Sequence, residues 1–120
     1  MNKSTLVIGA STNPDKYSFK AIRALVNHKH TVYALGLKTG EVDGIAFDTE
    51  MKQYSDLDTV TLYVGPQNQP GYYDYIKSLK PKRVIFNPGT ENEEFEKQLQ
   101  ANGIEPIEAC TLVMLSTHQF

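Results

Sequence analysis

The sequence predicts one α/β domain, a three-layer sandwich on a mostly parallel sheet of about five strands. Three observations predict it. Short apolar or β-branched runs recur at residues 6–8, 30–35, 59–64, 83–86 and 104–109, most of them too brief for a helix. Segments with apolar residues at helical spacing separate several of these runs. Most of the runs stop at a loop that begins with or contains Gly or Pro. Strands that alternate with helices are joined by right-handed crossovers and lie parallel. At 120 residues the chain makes one domain and buries about two-thirds of its unfolded surface.

The elements follow in order. Leu6, Val7 and Ile8 suit a strand buried on both faces, and Gly9 lets the backbone turn with no Cβ in the way. Small and amide-bearing residues 10–13 then form a loop that Pro14 and Asp15 extend. Ser18 is expected to cap a helix carrying Phe19, Ile22, Leu25 and Val26 on one face. Lys29 stands where such a helix usually ends on glycine. Residues 30–35 make the second strand, 36–40 a loop, 41–44 a polar turn, and 45–47 a short extra strand. A single helical turn is expected at 51–54.

Residues 59–64 are β-branched and aromatic, and Gly65-Pro66 halts that strand. Asn68 and Pro70 open a helix that runs to about Leu79 and is stopped by Pro81. After the strand at 83–86 comes the loop Asn87-Pro88-Gly89. Thr90 and Glu93 have capping-box spacing, Phe95 and Leu99 share a helix face, and Asn102-Gly103 ends the helix. Residues 104–109 form the last strand, followed by Cys110 and an apolar tail at 112–115.

Composition narrows the function. A formal net charge of −2 with scattered Lys and Arg gives no electrostatic case for nucleic acid. One cysteine makes neither a disulfide framework nor a thiolate metal cage. The N-terminal stretch does not read as a signal peptide, and no run has the length of a membrane span. The expectation is a cytoplasmic protein with no membrane association.

In a parallel sheet the ligand sits beyond the carboxyl ends of the strands, where strand order reverses. Four loops converge there: 9–18, 36–40, 65–70 and 87–90. The first is a strand, a small-residue loop and a helix start, which brings free N–H groups and a positive dipole end to one point and suits phosphate. An ordinary strand–helix connection is the other reading of that loop. A small-molecule, nucleotide-like ligand is the natural occupant. An NAD site would want Gly-x-Gly-x-x-Gly and an acidic residue after the second strand. The loop has one glycine, and Lys38 stands near that strand end. Lysine cannot accept hydrogen bonds from ribose hydroxyls but can meet a phosphate, which leaves NADP or another phosphorylated adenosine. A solvated surface lysine is the alternative reading of Lys38.

Val-Ile-Gly-Ala-Ser-x-Asn-Pro-x-Lys-x-Ser at 7–18, the loop with Lys38, Tyr-Val-Gly-Pro at 63–66 and Asn-Pro-Gly-Thr-Glu-Asn-Glu-Glu at 87–94 carry a resemblance over essentially the whole chain. The sequence resembles the stand-alone CoA-binding domains, Rossmann-like bacterial proteins similar to the N-terminal domain of the succinyl-CoA synthetase alpha subunit. The resemblance implies coenzyme A or an acyl-CoA as ligand. By position it implies Ser11, Thr12 and Asn13 in the loop from Gly9 to Ser18, then Lys38, then Gly65, Pro66 and Gln67. Cys110 falls at a position where the family commonly has cysteine, at a strand's carboxyl end on the ligand side; the other reading is a small buried apolar residue. The synthetase's second domain, with its phosphorylated histidine, has no counterpart, and His28, His30 and His118 match no part of it. The expectation is therefore a binding protein without its own catalysis, acting as carrier, sensor or regulatory subunit, with a homo-oligomer or a partner protein left open. The alternatives are an NADP-binding enzyme and an interaction module with a vestigial pocket.

Other constellations give less. His28 and His30 are two apart and do not share a helical face as a metal pair would. Glu91, Glu93 and Glu94 suit dipole compensation in a first helical turn. Tyr72 and Tyr75 could stack on an adenine or pack on a neighbour. Ser11 and Ser18 lack a nucleophile elbow, so nucleophilic catalysis has no support.

Overall fold

The computed structural model describes residues 2–120. Five parallel strands, β1 (Thr5–Ala10), β2 (Val32–Gly36), β5 (Thr59–Leu62), β6 (Arg83–Phe86) and β7 (Glu105–Glu108), form a Rossmann-like sheet in the order β2-β1-β5-β6-β7. Strand order reverses between β1 and β5, so the ligand crevice is expected at their carboxyl ends. β3 (Gly40–Val42) and β4 (Ile45–Phe47) make a separate antiparallel hairpin where the sequence suggested a polar turn and one short strand. The reason is Val42, which is buried opposite Ile45 despite polar neighbours.

The strands alternate their side chains between two helical layers, as period-two geometry requires. Leu6, Ile8, Val60, Leu62, Val84 and Phe86 face α2 (Tyr73–Leu79) and α3 (Glu93–Ala101). Val7, Val32 and Ala34 face the hairpin, α1 (Tyr17–Asn27) and α4 (Thr111–Ser116). The tail at 112–115 is thus a helix whose Leu115 completes that second core. The helical turn expected at 51–54 does not form. Tyr54 instead stacks on Tyr33 with ring centroids 4.1 Å apart, and the Lys52 carbonyl accepts from the Tyr75 hydroxyl. Tertiary contacts of the extended segment prevail there over local propensity.

The helix ends show which residues set the boundaries. α1 ends with Lys29 at φ 65°; its N–H donates to Val26 O and that of His30 to Leu25 O, a Schellman motif closed by a lysine. α3 ends the same way with Gly103 at φ 75°. Its start is not at Thr90. Asn92 caps the helix, accepting from Phe95 N at 3.2 Å, while the Glu96 carboxylate accepts from Asn92 N at 3.3 Å. Thr90 turns its hydroxyl to Asn87 O at 2.8 Å instead. Ser18 likewise does not cap α1: Lys16 holds that position without a side-chain bond, and Ser18 is buried in the first turn. Among the described residues no helix is long and apolar enough to cross a membrane, and no cluster of side chains could hold a metal ion.

Candidate functional site

At the point of strand reversal, β1 carries a bulge between Ile8 and Ala10. Gly9 sits there at φ 98°, and a Cβ on it would lie 2.9 Å from the Tyr63 carbonyl oxygen. Glycine therefore lets β1 pass close to the end of β5, and β1 continues one residue past the turn expected at Gly9. The loop beyond it is held by its own polar groups. Ser11 Oγ accepts from Asn13 N at 3.1 Å, Asn13 Oδ1 accepts from Asp15 N at 3.0 Å, and Lys16 N donates to Asn13 O at 3.0 Å. Those acceptors are spent on the loop, which leaves the Ser11 hydroxyl hydrogen and the Asn13 amide NH2 to donate. Such a donor set suits an anion.

The Lys38 loop is fixed against the first. A Cβ on Gly40 would fall 2.5 Å from Thr12 Cγ2 and 2.8 Å from the Phe47 ring, so the two loops touch with no room for a side chain. An open cleft of about 1010 Å³ lies along these loops and those after β5 and β6. That volume is at the upper end for small-molecule sites, enough for a long ligand.

The structure brings Gly9, Ser11, Thr12, Asn13, Ser18, Lys38 and Gly65 to this cleft. Pro66, Gln67 and Cys110 are not on its wall. Gln67 folds back over Gly65, its Oε1 3.0 Å from where a Gly65 Cβ would be. Cys110 is half-buried at the head of α4. Tyr72 lines the cleft, whereas Tyr75 is buried in the α2 core. The far end of the sheet holds His28, His30 and His118, away from the cleft. Glu93 and Glu94 lie in the first turn of α3, while Glu91 precedes it and accepts from Gly89 N at 2.9 Å.

Lys16, Tyr17, Leu37 and Tyr63 also line the cleft and were not singled out from sequence. Lys16 stands directly before α1, and its place in the matching motif was the available signal. Among the described residues neither Lys16 nor Lys38 joins an ion pair, so both cations are available to a ligand. Tyr17 and Leu37 are 66% and 82% exposed, two large apolar side chains flanking the same opening. The Tyr63 hydroxyl is buried next to Thr111 and Thr61 but makes no hydrogen bond of good geometry; burial pushes its pKa up to about 12.

One polar residue escaped the sequence reading altogether. Gln69 is fully buried between the β5 and β6 loops. Its Nε2 donates to Val64 O at 2.9 Å and Thr90 O at 2.7 Å, and its Oε1 accepts from Asn92 Nδ2 at 2.9 Å. Behind the cleft, Asn87 ties β6 to its neighbours, donating to Thr61 Oγ1 and Leu62 O and accepting from Thr111 N.

Known proteins share both the sequence pattern and the fold. The model of the family described as "CoA binding domain" matches residues 3–116. A crystal structure of an uncharacterised protein is 52% identical over 100% of this chain and 99% of its own, with a TM-score of 0.97. A hypothetical protein from Pyrococcus horikoshii OT3 superposes with a TM-score of 0.87 at 23% identity, over 97% of this chain and 83% of its own. The dinucleotide-forming acetyl-coenzyme A synthetase 1 of Ca. Korarchaeum cryptofilum, at 20% identity, shares the fold over 89% of this chain but only 25% of that one, with a TM-score of 0.72. A comparison with curated proteins finds no match.

Proposed function

The chain belongs to the CoA binding domain family, and on that footing we propose that it binds coenzyme A or an acyl-CoA in the cleft at the β1/β5 crevice. It does so without catalysis of its own, as a carrier, sensor or regulatory subunit that presents the bound thioester to a partner protein or a second copy. The observation that carries the reading is the donor set. The first loop offers hydroxyl, amide and backbone N–H donors at the start of α1, with Lys16 beside it and Lys38, which joins no ion pair among the described residues, on a separate loop that lines the same cleft. Two separated cations suit a ligand with a pyrophosphate and a second, distant phosphate.

In this reading Ser11, Thr12, Asn13 and Ser18 with Lys16 hold the pyrophosphate, and Lys38 holds the ribose phosphate. Tyr17 and Leu37 give the adenine an apolar face, which flat aromatic groups favour. The pantetheine arm then runs along Gly65, Tyr72 and the 88–90 loop toward Cys110. NAD lacks the ribose phosphate, and no acidic side chain on the cleft wall could receive its free ribose hydroxyls.

Thermal unfolding with added ligand tests the reading. At one hundred times Kd, CoA stabilises the native state by about 2.7 kcal/mol, a rise on the order of 10 °C in a domain of this size. NAD at the same concentration leaves the midpoint unchanged. Equal shifts with both dinucleotide-like ligands, or none with CoA, would sink it.

A further inference from the structure

We propose that Gln69 is a positioning residue that locks the loops after β5 and β6 into one rigid wall of the cleft. The inference rests on the CoA reading for its ligand arm. Gln69 leaves no polar atom unused. Both hydrogens of its amide go to backbone carbonyls, Val64 O in one loop and Thr90 O in the other, at 2.9 and 2.7 Å. Its Oε1 accepts from Asn92 Nδ2, its own N donates to Pro66 O, and its O accepts from Tyr72 N. The orientation of the amide is forced, because the reverse would set Oε1 against two carbonyl oxygens.

Asn92 extends the lock. Its Nδ2 also donates to the Tyr73 hydroxyl at 2.7 Å, and its Oδ1 caps α3. One buried amide thereby joins the β5 loop, the β6 loop, the start of α2 and the start of α3. Val64 and Thr90, which receive the two bonds, both line the cleft, whereas Gln69 does not. A residue behind the wall cannot contribute ligand contacts, so its effect on binding is preorganisation: ordering that the fold supplies in advance is not charged to the ligand. Since loops are ordinarily mobile, such a clamp sets how much of the pantetheine side of the cleft is preformed.

The test uses wild type, Gln69→Met and Asn92→Asp, with CoA and with adenosine 3′,5′-bisphosphate, the nucleotide half without pantetheine. Gln69→Met keeps the chain length and removes the amide. Asn92→Asp keeps the cap acceptor for α3, so this variant retains the helix start while losing its donation to Gln69 and Tyr73. Calorimetric titration should show CoA weakened about ten- to a hundredfold in Gln69→Met, the factor for one or two buried hydrogen bonds, and weakened likewise in Asn92→Asp, where a carboxylate oxygen faces the Gln69 Oε1 acceptor. The bisphosphate, held by the first loop and Lys38, should change by less than about twofold, within the scatter of an uncoupled site. Equal weakening of both ligands would mean that Gln69 serves stability alone and would overturn the proposal. Hydrogen exchange on the unliganded proteins supplies the second readout: the amides of Asn68 and Thr90 should open together and faster in Gln69→Met. Acceleration in one loop only, or in neither, also overturns it. Wild type that binds neither ligand refutes the CoA reading instead, and the exchange result still decides whether the two loops are coupled.

Discussion

Replacing Lys38 by Ala separates the two phosphate subsites. Lys38 is exposed, makes no ion pair among the described residues, and stands on a loop pinned to Thr12 through Gly40. A hydrogen bond to a charged group contributes about 1.5–3 kcal/mol, and exposure to solvent pulls a surface pair toward 1 kcal/mol or below. About 1–1.5 kcal/mol is the reasonable figure for this site, a loss of roughly five- to tenfold in CoA affinity. Dephospho-CoA has no 3′-phosphate, so Lys38→Ala should leave its affinity nearly unchanged. Lys16→Ala, beside the pyrophosphate subsite, should weaken both ligands alike. Calorimetry on the wild type and the Lys38 variant with the two ligands closes a thermodynamic cycle that isolates the lysine–phosphate term. Raising the salt from 0.05 M to about 0.5 M should shrink that term, because the Debye length falls to a few ångströms. If Lys38→Ala weakens CoA and dephospho-CoA equally, the adenosine does not lie where this reading puts it.

Lys29→Gly should stabilise the protein by about 0.5–1 kcal/mol in urea unfolding: the left-handed backbone costs a lysine about 1–2 kcal/mol, and glycine's looser unfolded state returns part of the gain. Tyr75→Phe should cost about 0.5–1.5 kcal/mol through its lost bond to the Lys52 carbonyl, while Tyr63→Phe, which loses no bond of good geometry, should be neutral or slightly stabilising. Both phenols are pushed up to about 12 by burial. A raised pKa leaves its contribution intact below the unfolded value of about 10 and removes it as pH rises through about 12. Stability should therefore fall between about pH 10 and 12, more gently in either Phe variant, as equilibrium unfolding across that range would show.

The strands of the main sheet and the C-terminal ends of α1, α2 and α3 were legible because each is set by local chemistry, whereas the helix starts were not: α2 begins at Tyr73, after two short 3-10 turns, and not at Asn68 or Pro70. The apolar run at Leu6–Ile8, the Pro81 stop and the Asn102-Gly103 terminator act through the backbone of their own segment. Lys29 was legible for the same reason, as a helix terminator that is not glycine. What was not legible depended on partners far along the chain. Tyr54 gives up a helical turn to stack on Tyr33, and Val42 becomes strand because Ile45 and the second core bury it. Ser18 and Thr90 have the chemistry of caps, yet each lies within two residues of the position that the fold uses, and burial gives them other roles.

In the cleft, the small-residue loop and Lys38 could be picked out because a phosphate site needs a specific local arrangement. Gln69 could not. A glutamine beside a proline in a loop reads as solvated, and only the approach of the Thr90 loop makes it a buried bridge. Gln67, the more prominent glutamine in the motif, turns back on Gly65 and leaves the wall to Asn68 and Tyr72.

Backbone amide shifts in a ¹⁵N-labelled sample titrated with CoA test the central claim most directly. Shifts should cluster at Gly9 to Ser18, Leu37 to Thr39, Gly65 to Tyr72 and Gly89 to Thr90, saturating with one equivalent. Lys3, His28 and His118, which line a smaller hollow at the opposite end of the sheet, should not move. Shifts confined to that opposite hollow, or no shifts at millimolar CoA, would contradict it.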